Sequence, residues 1–456
     1  MKKTFHRQQR KSIELRSEKI SLRKKRLEVL EKWMLQNREA IKAALASDLG
    51  KSAHEADISE VFPALSEVRK ARRNLNLWSR AKQVKSSMTF IGTRAKIAYE
   101  PKGVCLIISP WNYPFMLAAG PLISALSAGN TVFLKPSEFT PATSALLKTM
   151  VEALFDEEVA VVYEGDANVA QQLLQLPFNH IFFTGSPAVG KIIMKHAAAH
   201  LSSVTLELGG KSPTIVDETA SIKDAAHKIA WGKWINAGQT CVAPDHLYIH
   251  RSISDEFITQ LKNEVSKLYG KPEDYTGIVN EKHFDRLSEL LKETSESSIL
   301  LSGKVDKSEL IIDPVICKDI SAESGLMREE IFGPILPIIE FEELDQVVAT
   351  INEAEKPLAL YLFSKSRKNK NFVLRQTSSG TVVVNDCVLQ FAHPHLPFGG
   401  VNNSGFGKSH GAYGFRAFSH EKAVLKQKIG LTMSGLLYPP ANKWKNKLLD
   451  MLIKYF

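Results

Sequence analysis

The sequence predicts an α/β protein built on a parallel sheet, and two observations carry that expectation. Short apolar runs recur at Val104–Ser109, Thr131–Leu134, Val159–Tyr163, His180–Phe183 and Val204–Leu206. Between them lie stretches of helical length and composition, such as Pro114–Ala128, Ala142–Phe155 and Val189–His200. Parallel strands cannot be joined by a tight turn, so this alternation requires crossover helices packed on both faces of a sheet, a Rossmann-type pattern.

The elements follow in order. Leu27, Leu30, Met34, Ile41 and Leu45 fall on one helical face that Gly50 terminates, and a second helical stretch runs from Ile58 to Trp78. Residues 84–100 read as an alternating hairpin, with Met88, Phe90, Ile91 and Ile97 as its apolar members and Gly92 at the turn. After the first series of strands the alternation resumes with strand Pro213–Val216, helix Ile222–Ile235, strand His246–His250 and helix Asp255–Leu268. A loop-rich stretch then leads to strands near Ile311–Ile316, Ile335–Phe341, Leu358–Phe363 and Thr381–Val384, which together read as a second α/β domain. Beyond Tyr438-Pro-Pro440, Trp444, Leu448, Leu452, Ile453 and Phe456 form an apolar helical stripe among Lys443, Lys445, Lys447 and Lys454. Such a tail is expected to pack on the body; a lid over a channel or a weak membrane-surface contact is the alternative. The expected division is 1–83 with 99–207, then 208–414, with 84–98 and 415–430 as bridging segments and 431–456 as the tail.

Composition narrows the function. At 44% hydrophobic and 24% charged residues, the chain is an ordinary folded one. Its formal charge of +10 suggests nucleic acid only until the charge is located. Residues 1–26 hold eleven Lys/Arg and two Glu, which is nearly all of the excess, and a basic helix face is ordinarily just solvated. No aromatic-basic interleaving or zinc-finger spacing supports a nucleic-acid partner. The four cysteines (Cys105, Cys241, Cys317, Cys387) are far apart and form no CxxC pair, which suggests neither disulfides nor a zinc ribbon. With no apolar signal region near the start and no long apolar run, a cytoplasmic protein without a membrane span is expected.

Candidate chemistry sits at the carboxyl ends of the strands, where open α/β folds place ligands. Asn112, in Pro110–Pro114, offers an uncharged amide donor, or is simply a turn residue. Lys135 and Glu138 follow the next strand and suit a phosphate or ribose hydroxyls, or a solvated loop. Gly185, Ser186 and Gly190 open a helix whose free N–H groups suit a diphosphate, although the spacing is not GxGxxG. Glu207 ends an apolar strand, which would raise its pKa toward that of a general base; an ion pair with Lys211 is the competing reading. A lone cysteine among apolar residues is ordinarily a small buried hydrophobe, and Cys105, Cys317 and Cys387 take that reading. His393-Pro-His395 beside a turn is read as structural rather than as a ligand pair, and no metal is expected.

Taken in order, PWNYP (110–114), KPSE (135–138), FTGSPAVG (183–190), ELGGKSP (207–213), GQTC (238–241), EEIFGP (329–334) and PFGGVNNSGFG (397–407) resemble the aldehyde dehydrogenase superfamily. The match runs from about residue 25 to about 430. The short segment before PWNYP and the Tyr-Pro-Pro region look most like its class 3 and fatty-aldehyde branch.

The resemblance implies an aldehyde dehydrogenase-like fold, with a Rossmann-type cofactor domain, an α/β catalytic domain and a bridging hairpin arm. It implies NAD or NADP as cofactor and an aldehyde as substrate, of medium or long aliphatic chain or aromatic. It makes Cys241 the nucleophile, Glu207 the general base and Asn112 the oxyanion-hole amide. Trp111, Lys135, Glu138, Gly185, Ser186, Gly190, Leu208, Gly209, Glu330 and Phe332 become cofactor contacts, and Tyr113, Asn385 and Phe398 substrate-side residues. The hairpin and the strand-like Ala423–Lys428 look like subunit-bridging segments, so a homodimer is expected. Asn402 departs from the pattern, where relatives commonly carry Gly. Relatives that pass the acyl group to coenzyme A generally lack the carboxylate, so Glu207 favours hydrolysis. A non-catalytic descendant would be signalled by loss of Cys241, Glu207 or Asn112, and all three are present.

Overall fold

The five apolar runs of the first half form parallel strands because each is long enough to pair and apolar on both faces. In this computed structural model, which describes all residues except 86–89, 91, 272–274, 394, 431 and 456, they build most of a six-stranded sheet. Its order is Gly405–Phe406, Ser203–Leu208, His180–Gly185, Val104–Ile108, Thr131–Lys135 and Ala160–Val162. The pleat sends Val104, Leu106 and Ile108 into one core cluster and Cys105 and Ile107 into the other. Met116–Ala128, Pro141–Leu154 and Pro187–His200 are the foreseen helices; Ala167–Leu174, with Asp166 as its N-cap, was not foreseen.

The second sheet has seven strands, in the order Ile299–Leu301, Val315–Lys318, Ile335–Phe341, His246–His250, Pro213–Val216, Ala359–Phe363 and Thr381–Val384. Only Ile299–Leu301 runs antiparallel to its neighbour. Two expectations need correction here. The run near Ile311–Ile316 is two strands, Ile311–Ile312 and Val315–Lys318, because Pro314 lacks the N–H needed to continue a ladder. The stretch read as loop-rich contains the helix Glu281–Lys292, whose buried Phe284, Leu287 and Leu290 form a stripe in an otherwise charged segment.

The chain crosses between the sheets over the few residues from Leu208 to Pro213, and later returns. Gly405–Phe406 pairs antiparallel with Glu207 and Leu206, so part of segment 208–414 completes the first sheet. The hairpin appears as Lys82–Val84 against Arg94–Pro101, with Ser419–Lys426 on the other side of the latter. Met88 and Ile91 lie outside the described residues.

The basic N-terminal helix Lys2–Arg16 is not merely solvated. Phe5 packs edge-on against Phe178, with ring centres 5.2 Å apart, and the Gln8 amide donates to the carbonyls of Val132 (3.1 Å) and Glu157 (2.8 Å). Tail helix Lys443–Tyr455 contrasts with it: none of its residues is buried, Leu448 and Leu452 are half-buried, and Trp444 and Ile453 are exposed, so among the described residues the stripe is not buried in the body as expected. Phe456 lies outside the described residues. Among the described residues no helix is long and apolar enough to cross a membrane.

Phe5 is 1% exposed and anchors its helix. Phe5→Ala is expected to lower stability by about 3–5 kcal/mol, as for other buried aromatic truncations, read as a fall in the thermal midpoint.

Candidate active site

The nucleophile candidate sits at the end of a backbone segment that few residues tolerate. In the turn Ile235–Gly238, Asn236 (φ 55°), Ala237 (φ 51°) and Gly238 (φ 70°) are successively left-handed. Asparagine and glycine adopt this region readily and alanine does so at a cost, so surrounding bonds must hold it. Gln239 supplies them: its amide donates to the carbonyls of Asn236 (3.1 Å) and Gly277 (2.9 Å), and its oxygen accepts from Val279 N–H (3.0 Å). A side chain on Gly238 would come within 2.2 Å of the Gly333 carbonyl, so glycine lets the GQTC and EEIFGP segments touch.

Two sizeable cavities meet at Cys241, with a small one between them. The first, about 350 Å³, is largely apolar; Phe62, Met116, Leu117, Trp231 and Phe391 are among its walls, and Tyr113 lines it, its hydroxyl 2.6 Å from that of Thr240. The second, about 320 Å³, lies at the carboxyl ends of the parallel strands, bounded by Trp111, Asn112, Gly185, Ser186, Leu208, Gly209, Glu330 and Phe332. The small one, about 30 Å³, brings Glu207 and Phe398 together with Cys241.

The strand-end cavity fits an extended anionic cofactor. A side chain on Gly209 would strike Glu330 Oε2 at 2.1 Å, so only glycine leaves the carboxylate its place. Ser186 caps the helix Pro187–His200, its hydroxyl accepting from Val189 N–H at 3.4 Å, and Pro187 occupies the first helical position, where its missing N–H costs nothing. Trp111 and Phe332 meet edge to face with ring centres 5.3 Å apart, forming one wall.

Other expected residues are elsewhere. Gly190 lines none of these three cavities; it lets the helix approach the strand, since a Cβ there would lie 2.8 Å from Leu208 Cδ2. Lys135 and Glu138 pair with each other at 2.8 Å beyond their strand end, outside the cavity wall. Asn385 lines none of the three cavities described above, and its amide exchanges hydrogen bonds with the backbone of Ser364 (2.8 and 3.0 Å). Left-handed backbone (φ 59°) and that turn account for its residue type. Asn402 is also left-handed (φ 53°), a conformation asparagine shares with the glycine of relatives.

The electrostatics reflect burial. Glu207 does not pair with Lys211, whose ammonium binds Asp245 at 2.5 Å. Its carboxyl lies buried with no well-formed hydrogen bond to either oxygen, and burial pushes its pKa up to about 8, only partly offset by the nearby Ser409 hydroxyl and Lys408 ammonium. Burial likewise pushes Glu330 up to about 8. Cys241 is pushed up to about 12 by burial and by Glu330 and Glu207, while its own N–H and that of Val242 act the other way. Burial thus favours the neutral thiol, and access to the cavities, not acidity, sets it apart from the buried Cys105 and Cys317.

A family model described as the aldehyde dehydrogenase family matches residues 2–424. The chain belongs to the aldehyde dehydrogenase family. It is 43% identical over 425 residues to a 4,4'-diaponeurosporen-aldehyde dehydrogenase of Staphylococcus aureus, covering 92% of each chain. To mouse aldehyde dehydrogenase family 3 member B2 it is 40% identical over 443 residues, covering 96% of this chain and 92% of that one. The structure titled "Substrate bound state of Staphylococcus Aureus AldH" superposes with a TM-score of 0.95 at 41% identity, covering 99% of both chains. A glyceraldehyde-3-phosphate dehydrogenase of Methanocaldococcus jannaschii complexed with NADP superposes at 0.86 with 25% identity, covering 94% of each. The protein is thus an NAD(P)-dependent aldehyde dehydrogenase with that family's α/β fold, and its relatives include family 3 members.

Sequence reasoning missed two groups at this dehydrogenase's site. Lys408 and Ser409, which flank Glu207, directly follow a motif that was read for its glycines. Lys51 and Glu60, fully buried beneath Pro110–Pro114, lie just past the Gly50 helix stop and inside the second helical stretch, where a single charge in the sequence gives no signal of burial.

The raised pKa of Glu207 has a consequence for stability. Below its ordinary value of 4.5 the carboxyl is protonated in folded and unfolded chains alike; between 4.5 and about 8 only the unfolded chain ionises, so rising pH favours unfolding. Glu207→Gln should therefore raise the melting temperature, by an increment that grows from pH 5 to pH 8. Equal increments at both values would contradict the assignment.

Proposed function

We propose that this aldehyde dehydrogenase oxidises medium- or long-chain aliphatic or aromatic aldehydes to acids through a covalent adduct on Cys241. The observation that carries the reading is the position of Cys241, on the wall shared by the apolar cavity, the glycine-walled cavity and the small space holding Glu207. The apolar cavity suits a hydrocarbon chain, and Tyr113 and Phe398 bound the substrate side. The glycine-walled cavity suits NAD or NADP, with Trp111, Gly185, Ser186, Leu208, Gly209, Glu330 and Phe332 around it and Lys135 and Glu138 beyond. Segments 1–83 and 99–207 are read as the cofactor domain and 208–414 as the catalytic domain.

An aldehyde carbon releases hydride readily only once it is tetrahedral and bears an oxyanion. Glu207, whose pKa near 8 suits a general base, takes the Cys241 proton as sulfur attacks the carbonyl carbon. The N–H groups of Cys241 and Val242 favour the thiolate, and the second amide hydrogen of Asn112, whose first binds the Gln239 carbonyl, stabilises the oxyanion. When bound, NAD(P)+ supplies the hydride acceptor that turns this adduct into a thioester. Glu207, once it has released the Cys241 proton to solvent, takes a second one from the water that attacks the thioester carbon; the carbon–sulfur bond breaks and the acid leaves, with Cys241 as the leaving thiolate.

Purified enzyme with NAD+ and hexanal, then with NADP+ and with benzaldehyde, should show cofactor reduction that Cys241→Ala abolishes. Rates should rise with pH through about 8 as Glu207 becomes the free carboxylate, and fall in acid. Turnover only after adding coenzyme A would mean an acylating enzyme. Activity with very short aldehydes alone would sink the chain-length assignment, and a strict NADP preference would contradict Glu138 as a ribose-hydroxyl acceptor.

The strand Ser419–Lys426 is exposed along most of its length at the edge of the three-stranded sheet, which supports a homodimer bridged there. Light scattering should give twice the chain mass, and a monomer at micromolar concentration would refute it.

A further inference from the structure

Two charged side chains from the N-terminal helical region lie buried at the foot of the Pro110–Pro114 loop, and the chemistry above uses neither. Lys51 and Glu60 form an ion pair of 2.6 Å in which both side chains are completely shielded from solvent. The second oxygen of Glu60 accepts from the N–H groups of Phe115 (2.9 Å) and Met116 (3.0 Å), at the start of the helix Met116–Ala128. The Lys51 ammonium also donates to the Asn112 carbonyl at 3.0 Å and lies 4.2 Å from the centre of the Tyr113 ring. The pair therefore grips Asn112 by its own carbonyl and by the residues three and four positions later. From the opposite side Asn236 donates to the same carbonyl at 2.9 Å, and the Asn112 amide reaches the Gln239 carbonyl at 2.9 Å.

Removing two charges from water is expensive, and apolar residues of similar volume would hold these elements together at least as well. What the ion pair adds is direction. Hydrogen bonds weaken steeply when bent, and an oxyanion donor works only when aimed beforehand at the place where charge develops. We infer that Lys51 and Glu60 are positioning residues for the reaction: they fix the Asn112 peptide so that its side-chain amide points at the substrate oxygen beside Cys241. The inference rests on the reading of Asn112 as the oxyanion donor.

The test is a double-mutant cycle in the full-length enzyme. Asn112→Ala should lower kcat, which checks the underlying reading by itself. Lys51→Met should lower kcat by about 10- to 100-fold, the range between a misaimed and a missing oxyanion donor, with KM for the cofactor within about two-fold. Introduced into Asn112→Ala, the same substitution should cost less than about three-fold, because no donor is left to aim. Glu60→Gln keeps an oxygen for the two helix N–H groups, and serves if Lys51→Met fails to fold. The rate of Cys241 alkylation by iodoacetamide, which develops no oxyanion, should be unchanged in both variants. Equal losses in the two backgrounds, an unchanged kcat, or slowed alkylation would overturn the positioning role. Full activity in Asn112→Ala would instead remove the reading on which it rests.

Discussion

A small set of hydrogen bonds around Asn112, Asn236 and Gln239 joins the two halves of this enzyme beside Cys241. The Asn112 amide binds the Gln239 carbonyl across 127 residues of sequence, and Asn236 donates to the carbonyls of both. Asn112 belongs to the loop at the carboxyl end of Val104–Ile108, an inner strand of the first sheet, and Gln239 to the turn that follows a helix of the second. Without these bonds the three left-handed residues before Cys241 would have no reason to stay in place. Two more links converge on the same region. The bare Cα of Gly238 admits the Gly333 carbonyl, and Asp245 accepts from the N–H of Ile331 at 2.9 Å while holding Lys211. The cysteine turn and the Glu330–Phe332 segment are thus positioned by the same set of contacts.

Desolvation dominates the site's electrostatics. Glu207, Glu330 and Cys241 are all shifted toward their neutral forms, so the resting site holds little charge near the sulfur. A few ångströms of protein change the outcome for Asp245. Burial opposes its charge too, yet Lys211 and His246 beside it hold its carboxyl well below the usual range. The contrast separates two kinds of buried acid. A paired one fixes backbone; an unpaired one can take and return a proton near neutral pH.

The strand and helix pattern of the first half was legible because parallel strands buried on both faces read as continuous apolar runs. The motifs were legible because glycines, a lone cysteine and a carboxylate at strand ends are uncommon together and keep their order. Helix Glu281–Lys292 escaped notice because its apolar stripe is only three residues deep in a charged segment. The residue type at Asn385 also suits a left-handed turn that Ser364 completes, which linear position cannot distinguish from a cavity wall. The tail stripe was plain, but a stripe shows that a helix has an apolar face and not what covers it.

By itself, the sequence determined the architecture of alternating strands and helices and the family, and it offered candidates for the residues bearing reactive groups. These follow from local periodicity and from residue types whose chemistry does not depend on distant neighbours. Only the tertiary structure decided that Lys211 pairs with Asp245 and leaves Glu207 alone, that Gly405–Phe406 returns to the first sheet, and that Lys51 and Glu60 lie buried against Asn112. Each of these depends on segments far apart in the chain, and whether a charge is solvated, paired or stranded is a property of the space around it rather than of its neighbours in sequence.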